Sequence, residues 1–141
     1  MQATVEWTGP EGMAFLAHSD SGHGLVMDGA PEIGGHNLGA RPMEMVLMGL
    51  GGCASIDVVL ILQKSRQALQ ACKVTLDAER AAEDPKVFTR IHLHFVLQGK
   101  GLDPKRVAHA IDLSAEKYCS VSRMLASTAN ITHDFEILGA D

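Results

Sequence analysis

Three thiols are the side chains in this sequence best suited to covalent chemistry: Cys53, Cys72 and Cys119. An odd cysteine count argues against a framework of structural disulfides, which leaves thiol reactivity, metal ligation or burial. Cys72 falls on the apolar side of an alternating run and reads as a buried small hydrophobe. Cys53 follows Gly51 and Gly52 inside an apolar run, where burial and reactivity both stand as readings. Cys119 falls between two helical segments, with Ser120 available to cap the second. A thiol at a helix N-terminus feels positive dipole charge and tends toward a lowered pKa, the setting of reactive cysteines.

Other polar residues offer weaker chemistry. His92 and His94 share a strand face as a metal-binding pair does, yet they fill the polar positions of a regular alternation and read as solvated. Cys53, Cys119 and a histidine make an alternative metal set, although no metal is called for. Cys119 and His133 would form a nucleophile–base pair only if the fold joined them, since nothing sequential does. Asp57, alone in an apolar stretch, needs a partner such as Arg66 or Lys64. The glycines between Gly29 and Gly39 match no phosphate-binding fingerprint.

The elements that must position these groups follow from periodicity. Ala3, Val5 and Trp7 alternate with polar residues, a half-buried strand. Gly9 to Gly12 is turn chemistry, Met13 to Ala17 resumes an extended pattern, and Leu25 to Met27 makes a short strand. Residues 29–40 form a mobile surface loop. Pro42 opens a helix that runs to Leu69, too apolar for a surface helix and so buried. Its glycines, Gly49, Gly51 and Gly52, imply close approach by another element or a bend. Cys72 to Ala78 and Ile91 to Leu97 are antiparallel strands with one apolar face each. Asp103-Pro104 caps a helix, Ser120 to Ser127 makes another, and Ile131 to Ile137 is a closing strand.

Strands cluster without regular interleaving of helices, which indicates an α+β fold in a single domain over residues 1–141. Its parts are a β-rich segment and loop (1–40), a central helix (42–69), and strands and helices carrying the second thiol (72–141). A helix from 42 to 69 would be about 42 Å long at 1.5 Å per residue. A compact domain of this size has a radius of gyration of about 14 Å, so a second copy is expected to cover the excess. With 12 Lys and Arg against 17 Asp and Glu, the net charge of −5 excludes nucleic acid and anionic membrane as main partners. The apolar run from Met45 to Ile56 reads as too short to span a bilayer, and the N-terminus shows no secretory signal, giving a cytoplasmic expectation.

The segment Arg41-Pro42-Met43-Glu44 through Gly51-Gly52-Cys53 resembles the central helix of the OsmC/Ohr family, and Tyr118-Cys119-Ser120-Val121-Ser122 resembles its second thiol site. The two thiols are 66 residues apart, a separation also similar to the family's, and the resemblance extends over nearly the whole chain. It implies a domain-swapped homodimer with long central helices packed on antiparallel sheets and a site at each dimer interface. It also implies reduction of organic hydroperoxides, with Cys53 as the peroxidatic thiolate, Cys119 resolving its sulfenic acid as a disulfide, and a dithiol reductant regenerating both. No cofactor is implied. The alternative on the same fold is a non-catalytic protein binding a small apolar ligand. The family's glutamate follows the proline directly; here Met43 takes that place and Glu44 comes one residue later, a rotation of about 100°. The family's arginine belongs to the preceding loop, yet no arginine precedes Arg41. The candidates to stabilise a thiolate are therefore Arg41, Arg123 and His36, with His23 a further source of charge.

Overall fold

In the computed structural model, residues 1–139 are described, and the chain forms two compact units, Met1–Met48 and Gly49–Asp141. The first unit carries strands β1 (Ala3–Trp7), β2 (Ala14–Ser19) and β3 (Gly24–Asp28) in an antiparallel sheet of that order. The alternation expected of β1 gives a strand, but one exposed along its whole length. Its pairing with β2 satisfies the backbone, while nothing in its unit covers its apolar face.

The loop after β3 is pinned rather than free. Asp28 is buried, and its Oδ2 accepts the N–H groups of His36 at 2.9 Å and Leu38 at 3.1 Å. Those donors, Leu38 foremost, hold its carboxyl below the usual carboxylate range. A single 3₁₀ turn spans Pro31–Ile33, and a Cβ on Gly35 would meet the Gly29 carbonyl oxygen at 1.7 Å. Only glycine fits where the loop crosses itself this closely.

Helix α1 (Pro42–Lys64) begins in the first unit and ends in the second. It stops five residues short of the expected Leu69. Arg66 takes the left-handed conformation at φ +60, Gln67 N–H bonds back to the Leu62 carbonyl and Arg66 N–H to that of Gln63. This is a Schellman cap with arginine where glycine usually stands, so the stop signal was absent from the sequence. At 23 residues the helix is nonetheless long and apolar enough, by length and composition, to cross a membrane, which corrects the expectation that its apolar run is too short.

The second unit is a mixed three-stranded sheet in the order β4-β5-β6, made of β4 (Ala68–Arg80), β5 (Phe88–Lys100) and β6 (Asn130–Gly139). β4 and β5 pair antiparallel as expected; β6 lies parallel to β5, with Phe95 opposite Phe135. A parallel neighbour requires a crossover. Here the crossover consists of α2 (Pro104–Leu113), a π-turn at Ser114–Tyr118 and α3 (Ser120–Leu125). Asp103 caps α2, accepting the Lys105 N–H at 3.0 Å.

One face of α1 supplies Leu50, Ala54, Val58 and Leu62, spaced four apart, to a core with Ile91, Leu93, Phe95 and Leu97 of β5 and Val107, Ala110 and Ile111 of α2. A Cβ on Gly51 would lie 2.8 Å from Leu76 Cδ1, whereas Gly49 and Gly52 face open space. The expectation of a buried helix therefore holds for one face only. Ile56 and Leu60 are 62% and 47% exposed on the other.

Candidate functional site

The crossover places Cys119 against α1. The π-turn closes with a bond from the Cys119 N–H to the Ser114 carbonyl (2.8 Å), and such turns recur at functional positions. The next residue starts α3, so Cys119 is itself the N-cap, in place of Ser120. Its Sγ accepts the Ser122 N–H at 3.4 Å. The thiol is only 3% exposed.

Cys53, on α1 and half-buried, neighbours the Cys119 thiol closely enough to act on its ionisation. One turn later Asp57 Oδ2 lies 3.0 Å from the Ser114 hydroxyl, which also reaches the Ala54 carbonyl at 3.3 Å. Ser114, rather than Arg66 or Lys64, is thus the hydrogen-bond partner of Asp57. Burial pushes the Cys119 thiol up to about 11, the Ser122 N–H opposes that, and the Cys53 thiol and the Asp57 charge add to it. The lowered value expected from the helix end is overturned. A single N–H at the start of a six-residue helix does not offset burial and negative neighbours.

Cys72 stands apart on β4. It is half-buried rather than in the core as expected, and that partial burial raises its thiol above the ordinary range, with Ser55 opposing.

The other candidates occupy different settings. Glu44 Oε1 accepts the Arg41 N–H at 2.8 Å, the reach of a capping-box glutamate back to the residue before the helix. Arg41 donates to the Asn37 side chain at 3.2 Å and the Gly39 carbonyl at 3.1 Å, and His36 Nε2 lies 3.2 Å from the Glu11 carbonyl. These three groups belong to the first unit. Arg123 is exposed in the last turn of α3, and its side chain makes no ion pair among the described residues. His92 and His94 point outward from β5 onto Asp134, at 3.0 and 2.6 Å.

Ser114 was not among the residues expected at the thiol site, Ser122 entered only within the motif around Cys119, and His133 was expected beside Cys119 only if the fold joined them. His133 borders the same cavity as Cys119, a space of about 20 Å³ between the sheet and the helices. His133 is 14 positions from Cys119 along the chain and Ser114 sits five positions before it in a turn without a motif, so no spacing could join them.

Residues 35–134 match the family model described as OsmC-like protein. The chain belongs to the OsmC-like family. It is 52% identical to Protein YhfA of Escherichia coli over 99% of this chain and all of that one. A hypothetical protein from Aquifex aeolicus, 28% identical, superposes with a TM-score of 0.85 over 99% of this chain and 97% of its own. An organic hydroperoxide resistance protein OsmC from Legionella pneumophila, 14% identical, shares the fold at a TM-score of 0.67, covering 96% and 97%. The α+β fold with its long helix is that of this OsmC-like family.

Proposed function

We propose that this protein is a thiol-dependent redox enzyme that reduces organic hydroperoxides. The observation that carries the reading is the placement of Cys119 against α1 beside Ala54, with the adjoining Cys53 near enough to raise the Cys119 thiol. Cys53 is the more accessible thiol and meets the peroxide, its sulfur taking the terminal oxygen as the alcohol leaves. Cys119, buried at the cap of α3, then attacks the Cys53 sulfenic acid. A disulfide forms, water leaves, and a dithiol reductant restores both thiols. An open groove of about 520 Å³ beside Asp57, walled by Leu60, Ile61, Leu113 and Tyr118, offers room for an alkyl substituent. The hydroperoxide resistance protein of the same fold favours this chemistry by analogy alone.

The working form in this reading is a homodimer. The outward face of α1, with Ile56 and Leu60, requires cover, and Asp57 midway along the helix makes lipid a costly occupant. A second copy could also bring a cation to Cys53. A reducing cytoplasm would keep the thiols ready.

The test is turnover of an organic hydroperoxide with a dithiol reductant. The wild type should consume it at least tenfold faster than a free thiol does, and Cys53→Ser should abolish the excess. Glu44→Gln keeps a side chain able to complete the capping box. Unchanged turnover in that variant assigns Glu44 to the helix end; a large loss assigns it to the thiol. Wild-type oxidation at the rate of a free thiol would reject the enzyme.

A further inference from the structure

Cys119 must lose its proton to attack Cys53, and the residues around it do little to help. Its cavity walls include Leu50, Ala54, Phe95 and Ile111, and its polar neighbours are the Ser114 and Ser122 side chains. Of the described residues bordering that cavity, His133 alone carries an imidazole, a side chain able to accept a proton. The cavity, about 20 Å³, is roomy enough for one water between the two side chains.

His133 also borders the outside. With Ala108, Asp112, Asp134 and Phe135 it lines an open groove of about 310 Å³, and its Nε2 is 3.5 Å from Asp112 Oδ1 on α2. The imidazole thus stands in the wall between the buried thiol and solvent, where a proton can be taken from one side and released on the other. The titratable groups on its side are Asp112 from α2 and Cys119 from the turn; Asp134, next on its own strand, turns its carboxylate to His92 and His94 on the opposite face. β5 presents the apolar Leu93 opposite it, and α1 contributes Asp57 only through Ser114.

We propose that His133, steadied by Asp112, accepts the Cys119 proton through the cavity as Cys119 forms the disulfide with Cys53. The inference rests on the pairing of the two thiols proposed above. In the balanced step the Cys119 sulfur bonds to the Cys53 sulfur, and the S–O bond of the sulfenic acid breaks. The departing hydroxide takes a proton to leave as water, while the Cys119 proton passes to His133 and on to solvent. Asp57 is the competing acceptor, but its carboxylate is engaged by Ser114, and a carboxylate is a weaker base than imidazole.

The test needs no peroxide, so it reports on His133 even if hydroperoxide turnover fails. In full-length Cys72→Ala protein, Cys53 is converted to its mixed disulfide with thionitrobenzoate. Attack by Cys119 then releases the coloured thiol, and the release rate is followed against pH. The expected result is a wild-type profile with an inflection that His133→Gln removes, together with a loss of about a hundredfold at neutral pH, the low end for a positioned base. The variant should recover in alkali, where hydroxide replaces the imidazole. Asp112→Asn, which leaves the cavity intact, should displace the inflection and spare the alkaline rate. Asp57→Asn should speed release by removing a negative charge near the forming thiolate. Release from His133→Gln at the wild-type rate and with the wild-type profile would overturn the proposal. So would an Asp57→Asn variant that loses the inflection.

Discussion

At Cys119 the cap geometry and the charge environment pull in opposite directions. The Ser122 N–H favours the thiolate, while burial, the Cys53 thiol and Asp57 disfavour it, and the second set prevails. A thiol held protonated until a sulfenic acid forms beside it suits resolution better than first attack. The position of Cys119 between two helices was legible in the sequence, because Tyr118-Cys119-Ser120 breaks the helical pattern. The sign of its pKa shift was not, because Asp57 and Cys53 reach it only through the fold. His92 and His94 were legible as solvated strand residues, but their shared partner on β6 was not. The His94 pKa is raised chiefly by the Asp134 hydrogen bond, and that of Asp134 is lowered chiefly by His94. The His94 contribution to stability is therefore full below its unfolded value of about 6.5 and fades as pH climbs through the raised folded value. The Asp134 contribution is full above its unfolded value of about 3.9 and fades in acid. Thermal unfolding of the wild type against His94→Gln should show a small wild-type advantage near about pH 5.5 that shrinks by about pH 9. An advantage that grows with pH would refute the pairing.

Among the elements, the strands and helices declared themselves through period, and their ends depended on local chemistry. Asp103-Pro104 announced α2 because an N-cap and a first-turn proline are written in residue types. The end of α1 escaped because Arg66 supplies a left-handed cap that glycine normally signals. A left-handed arginine carries strain that glycine does not. Arg66→Gly should raise stability by about 1 kcal/mol, measured by denaturant unfolding. A loss of stability would mean that the arginine side chain contributes more than its backbone costs. The parallel pairing of β6 was likewise hidden, since alternation reports faces and not direction. That pairing matters for the site, because the crossover it requires carries both Ser114 and Cys119 past α1.

For the molecule as a whole, composition and a long apolar helix pointed to an α+β chain that a second copy completes. The fold followed, and the partner remains the proposal that the outer face of α1 motivates. Ile56→Glu places a charge on that face without touching the Leu50, Ala54, Val58 and Leu62 stripe. The wild type should sediment as a dimer and the variant as a monomer with its second-unit core intact. A wild type that stays monomeric at high concentration would remove the second copy from the account.

The central claim is that Cys53 and Cys119 are one redox pair. The most direct measurement treats the reduced protein with a single equivalent of organic hydroperoxide and maps the cysteines by mass spectrometry. A redox pair gives a Cys53–Cys119 disulfide with Cys72 still free, and a sulfenic acid trapped on Cys53 in Cys119→Ser. Oxidation that leaves Cys53 and Cys119 unlinked, or that joins either of them to Cys72, would contradict it.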